Sequence, residues 1–73
     1  KDIMKIVMES LSELPEQTRH IFVLNRLDYK SRKEIASILG VSQQKVDYHI
    51  NKANDHLRLK LKDYIPLMLL FLN

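Results

Sequence analysis

A single glycine, Gly40, serves all 73 residues of this chain, and the two prolines stand far apart at positions 15 and 66. Tight turns draw heavily on glycine, because it alone enters left-handed backbone geometry without steric cost. A chain with one such residue cannot be built from many short strands joined by hairpins. Sandwich, collagen-like and disordered classes are excluded by the same composition, which is 45% hydrophobic. Cysteine is absent, so no disulfide framework or Cys-based zinc site can stabilise the fold. A chain this short buries only about 60% of the surface it exposes when unfolded. It forms one small helical domain with a core of apolar side chains and little room for a supported active-site cleft.

Charge is unevenly placed. Residues 1–29 carry four basic and five acidic side chains, whereas residues 30–62 carry eight basic and three acidic ones, a local net of +5. The last eleven residues hold only Asp63, which gives +3 for the whole chain. One basic segment is what a domain presents to a polyanion, although solvated basic helix faces also occur in proteins that bind no nucleic acid.

The chain opens on Lys1 without the charged, apolar and small-residue order of a signal peptide, and it reads as one module of a longer intracellular protein. The longest apolar run, Leu67–Leu72, falls far short of the ~20 residues that span a bilayer, so no membrane insertion is expected.

Helical periodicity runs throughout. Ile3, Val7, Leu11 and Leu14 predict a first amphipathic helix over residues 2–12, with Met4 and Met8 on an adjoining strip. Pro15 disfavours helical geometry in Leu14 and suits the first position of a second helix over 15–27, with Glu16 near its positive end. The run Ile21–Leu24 followed by Leu27 marks that helix as central and apolar on nearly every side.

Residues 31–62 are the most informative. Ser31 and Glu34 have the spacing of a capping box, and Ile35, Ala36, Ile38 and Leu39 form the inner face of a short third helix. Gly40 stands where a left-handed C-terminal residue is needed, Val41 plugs the turn, and Ser42 caps the next helix. That fourth helix has an apolar stripe of Val46, Ile50, Ala53, Leu57 and Leu61. Its opposite face carries Gln43, Gln44, Lys45, Asp47, Tyr48, His49 and Lys52.

Two helices joined by a short glycine-containing turn form a helix-turn-helix, whose second helix enters the DNA major groove. Gln matches the donor and acceptor pair of adenine, Lys the acceptors of guanine, and Asp the amino group of cytosine. The plainer alternative is a helical hairpin with solvated polar residues. The capping box, Ala36 at the close helix contact, Gly40 and Ser42 together weigh against it.

The stretch from Leu14 to Leu61 resembles region 4 of bacterial sigma factors of the extracytoplasmic-function (ECF) type. The likeness rests on LPEQTR at 14–19 with Ile21 and Phe22, on KEIASILGVS at 33–42, and on V-x-x-H-I-x-K-A at 46–53 leading into Leu57-Arg58. These pieces span about two thirds of the chain. The ending DYIPLMLLFL is similar to tails of ECF sigma factors from Bacteroidetes. The resemblance implies an all-α, four-helix domain of the winged-helix-like, three-helical DNA-binding class without a wing. It implies a recognition helix reading the promoter −35 element in double-stranded DNA, earlier helices docking on the β-flap of RNA polymerase, and occlusion by an anti-sigma factor. By position, Asp47, Tyr48, His49 and Lys52 match base- or backbone-contacting sites of the recognition helix. Gln44 and Lys45 match residues approaching the duplex, with Gln43 beside them, and Arg32 and Lys33 match a phosphate-contacting helix start. Ser31 and Ser42 mark helix N-termini whose N–H groups suit phosphates. The chain departs from the family at Asp47, where many relatives are basic, at Lys30, where many are aliphatic, and in the glycine-free loop Asp28-Tyr29-Lys30.

Little supports catalysis, a cofactor or a metal site. His49 and His56 are seven apart without a carboxylate at ligand spacing on the same face, there is no glycine-rich phosphate loop, and the serines lack a nucleophile-elbow context. The expected organisation is a domain over 1–64 with its helix-turn-helix at 31–62, followed by an apolar tail at 65–73. Three readings of the tail stand: it folds back on the Met4/Met8 strip, it binds an anti-sigma factor or polymerase, or it pairs two copies into a dimer. The alternatives for function are a DNA-binding domain of the LuxR-type response regulators and a protein-interaction module using the tail. The leading Leu14-Pro15-Glu16 favours sigma.

Overall fold

A computed structural model describes residues 3–63, and they are all-helical: α1 (Ile3–Ser12), α2 (Glu16–Arg26), α3 (Arg32–Leu39) and α4 (Gln43–Lys60). The tail at 65–73, and with it the three readings of what the tail does, lies outside the described residues. So does the side chain of Ile3.

α4 organises the domain. Val46, Ile50, Ala53 and Leu57 have no exposed surface, and Leu61 at its C-cap is equally buried, so the predicted stripe holds over four turns. The stripe serves two hydrophobic clusters. Toward its N-terminal half, Val46 and Ile50 join Ile21 of α2 and Ile35 of α3, with Leu24, Ala36, Leu39 and Val41 packed around them. Toward its C-terminal half, Ala53, Leu57 and Leu61 meet Val7 and Leu11 of α1, Leu14, and Phe22 of α2. Adjacent residues on a helix point about 100° apart, and so Ile21 and Phe22 enter different clusters.

α2 is therefore less central than its run of apolar residues suggests. Ile21 and Phe22 are buried, Val23 and Leu24 are half-buried, and Leu27 is 47% exposed. Ile38 also lies outside the core, because on α3 the inward direction is set by Ile35 alone, flanked by Ala36 and Leu39. Pro15 acts as the N-cap of α2, one residue before the helical position expected for it, with extended ψ of 148°.

Local chemistry sets the helix ends. Ser31 Oγ accepts from the Glu34 N–H at 3.0 Å while Glu34 Oε1 accepts from the Ser31 N–H at 2.8 Å, a complete capping box. Gly40 closes α3 at φ 66°, ψ 36°, and the following Val41 N–H donates to the Ala36 carbonyl at 3.0 Å. The glycine-free α2–α3 loop solves the same problem differently. Tyr29 takes φ 57°, and the turn is tied by the Lys30 N–H to the Leu24 carbonyl and by Asn25 Nδ2 to the Lys30 carbonyl, both at 2.9 Å.

Candidate nucleic-acid interface

The turn between α3 and α4 is Gly40-Val41-Ser42, and its shortness makes α4 start directly against the end of α3. Ser42 Oγ accepts from the Lys45 N–H at 3.1 Å, which fixes the first turn of α4 while leaving Ser42, Gln43, Gln44 and Lys45 exposed. With 3.6 residues per turn, Gln44, Tyr48, Asn51, Lys52 and Asp55 fall opposite the Val46–Leu57 stripe, and all five are exposed. This is a polar ridge over three turns, backed by a fully buried face.

Asn51 belongs to the ridge although its residue type drew no notice in the sequence. Its spacing carries the signal, three after Tyr48 and seven after Gln44.

Asp47 lies at the edge of the ridge on the α3 side. Its Oδ1 accepts from Arg32 Nη1 at 2.8 Å, with both side chains partly exposed. The acid that departs from the usual basic pattern is thus neutralised by the first residue of α3, and the pair bridges the starts of both helices. Lys33 is exposed beside it. Arg32 and Asp47, expected as separate DNA contacts, face each other.

His49 is a correction. It was expected on the outward face, yet it is only 9% exposed, because position 49 is three after Val46 and one before Ile50 and so flanks the buried stripe. Its Nδ1 lies 2.8 Å from Oγ1 of Thr18, which has no exposed surface. Burial lowers the imidazole pKa below the usual 6.5, and the charges of Lys45 and Lys52 push it the same way. Thr18 thus belongs to the site, although its residue type alone does not mark it. Position 18 shares a helix face with Ile21 and Phe22, and a hydroxyl in such a place needs a partner.

Tyr48 is 58% exposed and packs edge-to-face on His49, with ring centroids 5.2 Å apart and planes at 76°. Lys52 Nζ lies 5.7 Å from the Tyr48 ring centroid. Behind the ridge, Glu13 after α1 joins Lys60 Nζ at 3.1 Å and His56 Nε2 at 3.0 Å, holding the far end of α4 against α1. His56 is thereby an inter-helix contact. Among the described residues, no group of three His, Cys, Asp or Glu side chains could hold a metal ion. None of the described helices is long and apolar enough to cross a membrane.

A family model described as "Sigma-70, region 4" matches residues 4–57, from α1 through most of α4. The chain belongs to the sigma-70 region 4 family. No curated protein and no solved structure matches at a significant level. Membership makes this a promoter DNA-binding domain of a sigma factor, a regulatory rather than a catalytic module, with DNA and RNA polymerase as its partners. For a sigma region 4 domain, the all-helical fold ending in a helix-turn-helix is the consistent architecture.

Proposed function

We propose that the chain is region 4 of an ECF-type sigma factor, and that α4 lies in the major groove of the promoter −35 element while the earlier helices dock on the β-flap of RNA polymerase. The carrying observation is the ridge of Gln44, Tyr48, Asn51 and Lys52 on the exposed face of a helix whose other face is fully buried. A helix so backed presents long polar side chains at fixed positions, as base readout requires. Three further features support the reading. The +5 segment covers the helix-turn-helix, the starts of α3 and α4 offer backbone N–H groups, Lys33 and Lys45 to phosphates while Asp47 holds Arg32, and the motifs at 14–19, 33–42 and 46–53 resemble those of the ECF type. Exposed Met4 and Met8 on α1, behind the second half of α4, give apolar surface for polymerase. The setting is the bacterial cytoplasm, and an anti-sigma factor covering the ridge is the regulatory partner this reading brings.

The test is polymerase-dependent transcription by the full-length protein, with and without this segment. Loss of −35-dependent initiation on removing it is expected, and unchanged initiation would refute the reading. In direct binding, Lys52→Ala should weaken promoter affinity and reduce the slope of log K against log salt by about 0.9, one phosphate contact. An unaltered slope would remove Lys52 from the interface.

A further inference from the structure

Four side chains run in sequence from the interior of the domain to its polar ridge. Thr18 has no exposed surface, His49 is 9% exposed and lies 2.8 Å from it, Tyr48 packs on His49 at 76°, and Lys52 stands over the outer ring of Tyr48. The first link is stiff. Thr18 is enclosed, and breaking its bond to His49 would strand a hydroxyl away from water. The second link restrains the ring of Tyr48, whose own exposure would otherwise leave it free to turn. An exposed ring resting on a buried partner is pre-ordered for contact, so binding through it loses little conformational freedom.

In the major groove, the base feature that suits carbon-rich aromatic surface is the C5-methyl group of thymine. On the proposed placement of α4, we infer that Tyr48 is a specificity-determining residue that packs on a thymine methyl, and that Thr18 and His49 are positioning residues that hold its ring there. His49 then influences sequence preference without touching a base. This assigns apolar readout to the middle of a ridge on which Gln44, Asn51 and Lys52 read by hydrogen bonds or charge, while Asp55 at its far end pairs with Arg58.

The test uses the 73-residue chain and a duplex selected by it from a random pool, with each thymine in turn replaced by deoxyuridine, which removes only the methyl group. The wild-type chain should lose about fourfold in affinity at one position, the worth of one buried methyl-sized group. Tyr48→Ala and Thr18→Val should bind the two duplexes equally, while Thr18→Ser, which keeps the hydroxyl, should retain the preference. Lys52→Ala should bind both more weakly and keep the ratio. His49→Gln, which can still bond Thr18 but offers no ring, should lose the preference and serves if Thr18→Val is unfolded by circular dichroism. Equal wild-type affinity at every deoxyuridine position would overturn the methyl contact. A folded Thr18→Val chain with the full preference would overturn the tether. Absence of any salt-dependent duplex binding by the wild-type chain would instead overturn the recognition-helix reading of α4, and this inference with it.

Discussion

Among the described residues, two take left-handed backbone conformations, and they make a matched pair. Gly40 does so at φ 66° with nothing within 4 Å of where a Cβ would stand. Gly40→Ala should therefore destabilise through conformation alone, by about 1–2 kcal/mol, the ordinary cost of placing an L side chain there. Tyr29 already bears that cost at φ 57°, and its ring is 87% exposed, so packing does not repay it. Tyr29→Gly should raise stability by about 0.5–1 kcal/mol, tempered by the greater freedom of glycine in the unfolded chain. For a domain of this size that is a rise of several degrees in Tm, about 4–8 °C per kcal/mol, readable by thermal denaturation. A lowered Tm would show that Tyr29 makes a contribution its exposure does not reveal.

Between elements, the Arg32–Asp47 bridge joins the starts of α3 and α4. Both partners are about 40% exposed, so its stabilising effect is at most about 1 kcal/mol. On the proposed placement of α4 its effect on a polyanion is larger, since it would hold a carboxylate beside the duplex and engage an arginine. Asp47→Asn should leave Tm nearly unchanged, tighten DNA binding and steepen the salt slope by about 0.9 as Arg32 turns to a phosphate. Equilibrium titrations at several salt concentrations decide this, and weaker binding would mean that Asp47 itself contacts a base. The bridge also illustrates what could be read from sequence at this scale. Caps, the Gly40 turn and the α4 stripe were legible because each depends on residues within four positions of one another. Pairings between helices were not: Arg32 with Asp47, Thr18 with His49 and Glu13 with Lys60 depend on how rods pack. His49 was misplaced for the same reason. Its angle on α4 is ambiguous until α2 lies against that flank, and Ile38 and Leu27 looked internal until α4 took the centre.

At the scale of the molecule, pH acts on stability through groups whose pKa folding shifts. The His49 pKa lies below its usual 6.5 in the folded state, mainly through burial, so folding favours the neutral ring. Its stabilising contribution is present above pH 6.5 and is lost as pH falls below that toward the lowered folded value. Glu13, held down first by its hydrogen bond to Lys60, and Glu34, held down first by the Ser31 N–H, contribute above their ordinary 4.5 and lose that below it. Denaturant unfolding between pH 7.5 and 3.5 should thus show two declines, one beginning near pH 6.5 and a second near pH 4.5. His49→Gln should abolish the upper decline and spare the lower, and an upper decline that persists would assign it to another group.

The two faces of α4 have a consequence for how such a domain can diverge. The residues that would meet DNA and the residues that fill both hydrophobic clusters alternate along one rod, yet they share almost no positions. Codons for 44, 48, 51 and 52 can drift with little effect on folding, while those for 46, 50, 53 and 57 cannot change without emptying a cluster. On the proposed placement of α4, a lineage carrying this helix would retarget its promoters by small steps that leave both clusters filled. The exception is position 49, which touches both faces and ties a change of address to a change in the core.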